Sequence, residues 1–129
     1  MVNISEQEEI LGLIGKSLKH QIEAYLIGGS AMMYHGAKEL TKDIDIVFLN
    51  EEDRNIVEKV LKDLEFKPRS TRLLYANKKN VPVLLQRGDI RIDLFSKIII
   101  CFELSEGIID RVKAVYEFNN LIVKIIAPE

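Results

Sequence analysis

The sequence predicts an α+β fold in which a mixed, largely antiparallel sheet carries helices packed on one side. Three observations favour this fold: two amphipathic helical patterns in the first half, a short apolar strand that ends in Gly28-Gly29, and runs of period two after Pro68. The chain has 129 residues, 47% of them apolar, which is enough for one hydrophobic core. We therefore expect a single domain over residues 1–129.

The elements of the first half are predicted from hydrophobic spacing and capping residues. Ser5 and Glu8 have the spacing of a capping box, and apolar residues then recur at helical intervals. Asn50 is predicted to cap a second amphipathic helix. In order, we expect a helix from Ser5 to about His20, a buried strand from Ile22 to Ile27, a short helix from Ser30 to His35 that ends at Gly36, a strand from Asp43 to Phe48, and a helix from Glu51 to about Leu64.

Turn signals divide the second half of the chain into short strands. Polar segments at residues 77–80 and 87–89 separate three runs of alternating pattern, which is typical of antiparallel hairpins. We expect strands at Arg72 to Ala76, Val81 to Gln86 and Ile90 to Phe95, a short helix from Ser105 to about Val112, and a last strand from Leu121 to Ile126 after the Asn119-Asn120 turn.

Charge is unevenly distributed along the chain. The net charge of −2 favours neither a nucleic acid nor an acidic partner, but residues 66–88 contain six basic residues and no acidic one. Such a segment is suited to hold phosphates. The alternative is a solvated pair of strands whose lysines protect a sheet edge.

Three features bear on the location of the protein. The longest apolar stretches, such as residues 97–102, are far shorter than the roughly 20 residues that span a bilayer, so we expect no membrane span. Residues 2–9 are polar and acidic, unlike a signal peptide, so we expect a cytoplasmic protein. The single cysteine, Cys101, is expected to pack as a small buried hydrophobe.

Two aspartates in the predicted strand 43–48 are the first candidates for chemistry. Because side chains alternate along a strand, Asp43 and Asp45 point to the same face while Ile44 and Ile46 enter the core. Neighbouring carboxylates repel each other unless a cation lies between them, and oxygen-only ligands suit Mg²⁺ or Mn²⁺. The Asp-x-Asp pattern alone is weak evidence, because it also occurs at solvated strand ends.

The glycine turn upstream strengthens this interpretation. Gly28-Gly29 leaves a buried strand and opens a helix, so unpaired backbone amides lie where an anion can approach, and Ser30 adds a hydroxyl. The alternative is a plain strand-to-helix connection whose glycines serve only turn geometry.

Together, these residues resemble a known signature. Ile27-Gly28-Gly29, thirteen residues, and then Asp43-Ile44-Asp45-Ile46 resemble the motif of the DNA polymerase β-like nucleotidyltransferase superfamily. The resemblance implies a third carboxylate on a neighbouring strand, for which Asp93 is the best candidate and Asp89 the runner-up. It also implies that the carboxylates hold two metal ions, that a hydroxyl attacks the α-phosphate, and that pyrophosphate leaves.

Within the superfamily, the chain is similar to the AbiEii-type toxin and related minimal nucleotidyltransferases. The similarity rests on Gly-Gly-Ser-Ala, His35-Gly36 and Thr41-Lys42-Asp43. It implies Gly28, Gly29, Ser30 and Lys42 as nucleotide-binding residues. Relatives often have an arginine shortly before the threonine, where this chain has Lys38-Glu39-Leu40, and Lys38 is the residue expected to substitute for it. Larger relatives continue past a Pro-Glu pair into a helical region, whereas this sequence ends at Ala127-Pro128-Glu129, which predicts a truncated core or one that relies on another chain for acceptor recognition.

The predicted function is metal-dependent transfer of a nucleoside monophosphate from a nucleoside triphosphate to a hydroxyl of an RNA, such as a tRNA-like molecule, or of a protein. A toxin–antitoxin or defence setting and a cognate partner chain are implied by the resemblance. The main alternative is a non-catalytic binding or antitoxin-like module with the same fold. A haloacid-dehalogenase-like phosphatase is disfavoured, because the glycine turn precedes the aspartates. His35 and Arg91 are weaker candidates for substrate contact.

Overall fold

The computed structural model describes residues 2–34, 36, 39–68, 83–96 and 112–126. None of the helices in these ranges is long and apolar enough to cross a membrane. The elements, in chain order, are β1 Val2–Asn3, α1 Ile4–Ser17, β2 Ile22–Ile27, α2 Gly28–Tyr34, β3 Leu40–Thr41, β4 Asp43–Phe48, α3 Glu51–Asp63, β5 Lys67–Pro68, β6 Val83–Arg87, β7 Ile90–Ser96, β8 Val112–Phe118 and β9 Leu121–Ile126.

The predicted fold class is confirmed. Seven of the described strands form one sheet in the order β5-β6-β7-β4-β2-β9-β8, and β1 pairs with β3 beside it. Only the β4–β7 and β2–β9 pairs within this sheet are parallel, so the sheet is mixed and largely antiparallel. Strands β4 and β2 lie in the middle of the sheet and pair with a neighbour on each side. The backbone that positions their side chains is therefore fixed on both edges.

The first helix begins at a different cap from the one predicted. Asn3, not Ser5, forms the capping box: its side chain accepts from the Glu6 N–H at 2.9 Å, and the Asn3 N–H donates to Glu6 Oε1 at 3.2 Å. Asn3 also pairs in β1, so the tertiary strand contact places the cap two residues earlier than the local pattern indicated. The helix ends at Ser17 rather than His20, because Leu18 is extended.

The third helix confirms its predicted cap and connects to the sheet. The Asn50 side chain accepts from the Asp53 N–H at 2.7 Å. At the other end, the Arg87 guanidinium donates to the Leu64 carbonyl at 2.9 Å and lies 4.7 Å above the Phe66 ring. Arg87 belongs to the basic segment 66–88. Its positive charge and its hydrogen bond to the C-cap residue stabilise the C-terminus of α3, as cations near helix C-termini do.

The core lies between the helices and one face of the sheet. Apolar residues of all three helices pack on strand residues of that face to form one buried cluster. Its members from α1 and α3 include Ile10, Leu11, Ile14, Val57 and Leu61, and those from the strands include Ile44, Ile46, Ile92 and Leu94. The opposite face of β4 and β7 carries their charged residues, together with the apolar Val47 and Phe95.

Several predicted elements of the second half differ or lie outside the described residues. Strand β6 begins at Val83, and residues 69–82, which include the predicted strand 72–76, are outside them. The predicted helix end at Val112 is wrong, because Val112 begins strand β8; its preceding residues 105–111, like Cys101, are not described. The Asn119-Asn120 turn is confirmed, with Asn119 in the left-handed region at φ 56°.

Candidate active site

Two parallel strands bring the three predicted carboxylates to one face of the sheet. In the β4–β7 register, Asp45 lies beside Asp93, and Asp43 lies beside Arg91. Register partners on adjacent strands point to the same side, so Asp43, Asp45 and Asp93 share a face. Ile44 and Ile46 point the other way and are buried in the core. The metal-binding role of the three aspartates stays a prediction.

The Asp45 and Asp93 carboxylates are in direct contact. The pKa of Asp45 is raised from 3.8 to about 7. Burial is the largest cause, followed by the negative charges of Asp93 and then Asp43, and by a hydrogen bond between Asp45 and Asp93. Within the described ranges, no three His, Cys, Asp or Glu side chains are already gathered as a metal-binding group. Asp45 and Asp93 are therefore the two carboxylates in contact, and Asp43 lies two residues before Asp45 in β4.

The glycine turn lies against Asp45. Strand β2 pairs with β4 so that Ile27 lies opposite Asp45, and Gly28 follows with φ at +62°. A side chain at Gly28 would place its Cβ 2.8 Å from Asp45 Oδ2. Glycine is therefore needed at this position for two reasons: the backbone has a positive φ, and the Asp45 carboxylate occupies the space that a side chain would need.

Ser30 supports the same carboxylate through the backbone. Its hydroxyl donates to the Ile27 carbonyl at 2.7 Å and accepts from the Asp45 N–H at 3.2 Å, and the side chain is fully buried. The hydroxyl proton is thus used within the protein. Gly28 is exposed and Gly29 is half-buried. Phosphate binding by Gly28, Gly29 and Ser30 stays a prediction.

A cleft of about 240 Å³ lies between Lys42, which precedes β4, and the β6–β7 hairpin. It is lined by Lys42, Gln86, Asp89 and Arg91. Lys42 precedes Asp43, so a predicted nucleotide-binding residue and the weaker candidate Arg91 face one space. Asp89 is exposed in the β6–β7 turn, four residues from Asp93, and does not pair with β4. The predicted preference for Asp93 over Asp89 therefore agrees with the strand register. His35 and Lys38 lie outside the described residues.

The comparisons with known proteins bear on the fold. Neither a protein-family model nor a curated protein sequence matches the chain. A crystal structure of an antigenic nucleotidyltransferase-like protein from Paracoccidioides brasiliensis is similar, with a TM-score of 0.56 and 15% identity over 98% of this chain. The chain has a nucleotidyltransferase-like fold. It spans 62% of the length of that protein.

A second solved structure is more distant. Terminal uridylyl transferase 4 from Trypanosoma brucei, with bound CTP, has a TM-score of 0.38 and 16% identity, over 84% of this chain and 35% of its own.

The sequence reasoning missed two residues near the candidate site. Gln86 lines the cleft and lies beside Arg91 in the β6–β7 register, while its amide donates to the Gly88 carbonyl at 2.8 Å. Gln7 of α1 donates to the Ser30 carbonyl at 3.3 Å. The only sequence signal for Gln7 was a polar residue three positions before the apolar Ile10 of the same helix face, and no signal distinguished Gln86.

Gly28→Ala is expected to destabilise the protein more than Gly88→Ala. Both glycines have positive φ, at 62° and 60°, so alanine costs about 1–2 kcal/mol at either. At Gly88 the added Cβ has nothing within 4 Å, whereas at Gly28 it lies 2.8 Å from Asp45 Oδ2, so this carboxylate must move within a cluster of like charges. We expect about 1 kcal/mol of additional loss at Gly28, measured by denaturant melts at pH 8.

A double-mutant cycle checks the cause. Combining Gly28→Ala with Asp45→Ala should remove the additional loss, because the contact no longer exists. Equal losses for Gly28→Ala and Gly88→Ala would mean that only backbone strain matters at position 28.

Proposed function

We propose that the chain is a metal-dependent nucleotidyltransferase that moves a nucleoside monophosphate from a nucleoside triphosphate to an acceptor hydroxyl. The observation that carries the proposal is the Asp45–Asp93 contact on one face of a nucleotidyltransferase-like sheet. Two carboxylates in contact in a largely buried position are unfavourable when both are charged. A bound cation removes that cost, so the pair is suited to a metal ion.

The residues present fit Mg²⁺ or Mn²⁺. Magnesium is commonly held by one or two carboxylates and completes its shell with waters and substrate phosphates. Asp45 and Asp93 would hold the ion, and Asp43 on the same face would contribute to a second position. When bound, the metal supplies positive charge that neutralises the phosphates and lowers the pKa of the attacking hydroxyl.

The other residues of the chain would bind and orient the triphosphate. We propose that the backbone at Gly28 and Gly29 approaches the phosphates and that Lys42 balances their charge from the cleft. The acceptor oxygen bonds to the α-phosphorus, the bond from that phosphorus to the bridging oxygen breaks, and pyrophosphate leaves. The hydroxyl proton passes to the carboxylate cluster and from there to water.

The acceptor and setting are proposed from the resemblance to AbiEii-type and minimal nucleotidyltransferases. On that basis the acceptor is an RNA, such as a tRNA-like molecule, or a protein hydroxyl, in a cytoplasmic toxin–antitoxin or defence system with a cognate partner chain. Labelled nucleoside triphosphates with Mg²⁺ and total RNA or protein test this. A label on the α-phosphate should enter the acceptor, and a label on the γ-phosphate should leave as pyrophosphate.

A nucleoside triphosphate with Mg²⁺ is expected to raise the melting temperature. A ligand that binds only the folded state at about 100 times its dissociation constant adds about 2.7 kcal/mol, or roughly 10 °C for a domain of this size. Metal alone should give a smaller rise. Thermal melts with each of the four ribonucleoside triphosphates measure the effect.

The matching nucleosides, which lack phosphates, serve as controls and should give no shift. If no triphosphate shifts the melt at millimolar concentration, the site is not a competent nucleotide site, and the non-catalytic binding module is favoured. If the melting temperature rises but the α-phosphate label is not transferred, the chain binds nucleotide without catalysing transfer, and the non-catalytic binding module is again favoured.

A further inference from the structure

We infer that Gln7 of helix α1 is a positioning residue that holds the glycine turn and, through it, Asp45; this inference rests on the proposed function. The Gln7 side chain is fully buried, on a helix whose other buried residues are mainly apolar. Its Nε2 donates to the Ser30 carbonyl at 3.3 Å, across 23 residues of sequence. A buried amide is costly unless it is hydrogen-bonded, so this bond fixes where the amide lies.

The contact reaches Asp45 through Ser30. Gln7 binds the Ser30 carbonyl, while the Ser30 hydroxyl joins the end of β2 at Ile27 to the Asp45 N–H in β4. Both Gln7 and Ser30 are fully buried, so water does not replace either bond readily. A helix on the core side therefore controls the backbone from which the carboxylate projects on the other side.

The balance of hydrogen bonds indicates that Gln7 contributes orientation more than stability. Gln7 also interacts with the buried Tyr34 hydroxyl, yet neither Gln7 Oε1 nor Tyr34 Oη has a hydrogen bond of good geometry among the described residues. A buried acceptor without a partner is unfavourable. An apolar side chain of similar length would avoid that cost, so Gln7→Met should retain most of the stability while releasing the Ser30 carbonyl.

Three variants test the inference. Gln7→Met removes the amide, Ser30→Ala removes the hydroxyl bridge, and Ile10→Ala is a matched control that damages the core one turn along the same helix. Amide hydrogen exchange is compared at Asp45 and at Val47 of the same strand. The dissociation constant of the Mg²⁺–nucleoside triphosphate complex is measured for each protein below its unfolding transition.

Gln7→Met and Ser30→Ala should speed exchange at the Asp45 amide by about tenfold or more without the same change at Val47, because only the Asp45 N–H depends on Ser30. Both should weaken nucleotide binding by roughly tenfold, as the loss of supporting contacts around metal sites does. Ile10→Ala, although less stable, should change neither. If Gln7→Met leaves Asp45 exchange as in the wild type, the inference is wrong whether or not nucleotide binds. If the wild type binds no nucleotide, the proposed function fails, and the exchange data still decide whether Gln7 positions Asp45.

Discussion

Asp45→Asn is expected to stabilise the metal-free protein at pH 8 and to remove nucleotide transfer. In the folded protein the pKa of Asp45 is raised from 3.8 to about 7, so the folded state binds this proton more tightly than the unfolded state. The stability that this provides is full below pH 3.8 and is lost as pH rises toward 7. Asparagine carries no charge at any of these pH values and escapes the loss.

The size of the effect should follow pH. At pH 8 the variant is expected to be more stable by on the order of 1–3 kcal/mol, because each pKa unit corresponds to about 1.4 kcal/mol and solvent screening at this partly exposed position reduces the gain that the full shift would give. The difference should narrow at pH 5 and be smallest near pH 4. Denaturant melts at the three pH values without divalent metal measure it.

The loss of transfer has a separate cause. Asparagine is a weaker metal ligand, and a metal ion supplies several kcal/mol of charge stabilisation in phosphoryl transfer, so the rate should fall by about two to three orders of magnitude. The stabilisation by Mg²⁺ and nucleoside triphosphate should fall with it.

Glu9→Gln is the matched control, since Glu9 is exposed on α1 and its loss of charge should change stability by less than about 0.5 kcal/mol at every pH. Asp45 would be a turn or ion-pair residue instead if Asp45→Asn destabilised the metal-free protein by about 1 kcal/mol at pH 8 and left the nucleotide response intact.

Gly15→Ala is expected to be the most destabilising of the glycine substitutions. A Cβ at Gly15 would overlap the backbone carbonyl of Phe118, and backbone lies on both sides of this contact. The end of α1 is held there by further bonds: the Asn120 N–H donates to the Gly15 carbonyl at 3.3 Å, and the Asn120 amide donates to the Leu18 carbonyl at 2.8 Å. We expect a loss of about 3 kcal/mol or more, because the helix and the β8–β9 hairpin must separate.

Gly12→Ala in the same helix provides the comparison. An added Cβ there has nothing within 4 Å, so alanine should stabilise the protein by about 0.5–1 kcal/mol through its higher helix propensity. In urea melts, the free energy of unfolding should therefore fall for Gly15→Ala and rise for Gly12→Ala. Equal effects of the same sign would show that α1 does not pack on the hairpin as described.

The local sequence pattern was sufficient to predict the strand that carries Asp43 and Asp45 and the start of the helix that follows it. Alternation along residues 43–48 correctly separated the buried Ile44 and Ile46 from the two aspartates, because the period of a strand is a property of its own backbone. The cap at Asn50 was likewise local, and it is found where predicted.

Other features depended on strands and helices that meet from distant parts of the chain. That Asp93 lies beside Asp45 follows from the parallel β4–β7 register, which no local pattern in either strand specifies. The cap at Asn3 depends on the pairing of β1 with β3, and the need for glycine at position 15 depends on a carbonyl more than 100 residues away. The sequence identified Gln7 only as part of an amphipathic helix, and its hydrogen bond to the Ser30 carbonyl is evident only in the folded structure.

The sequence by itself thus determined which side chains share a face of strand 43–48 and that Asn50 caps a helix, because these features depend on backbone geometry over a few residues. The tertiary structure alone decided which carboxylates touch, how far the pKa of Asp45 rises and which buried amide supports it. These properties arise from burial and from contacts between segments distant in sequence, and neither is encoded within a single element.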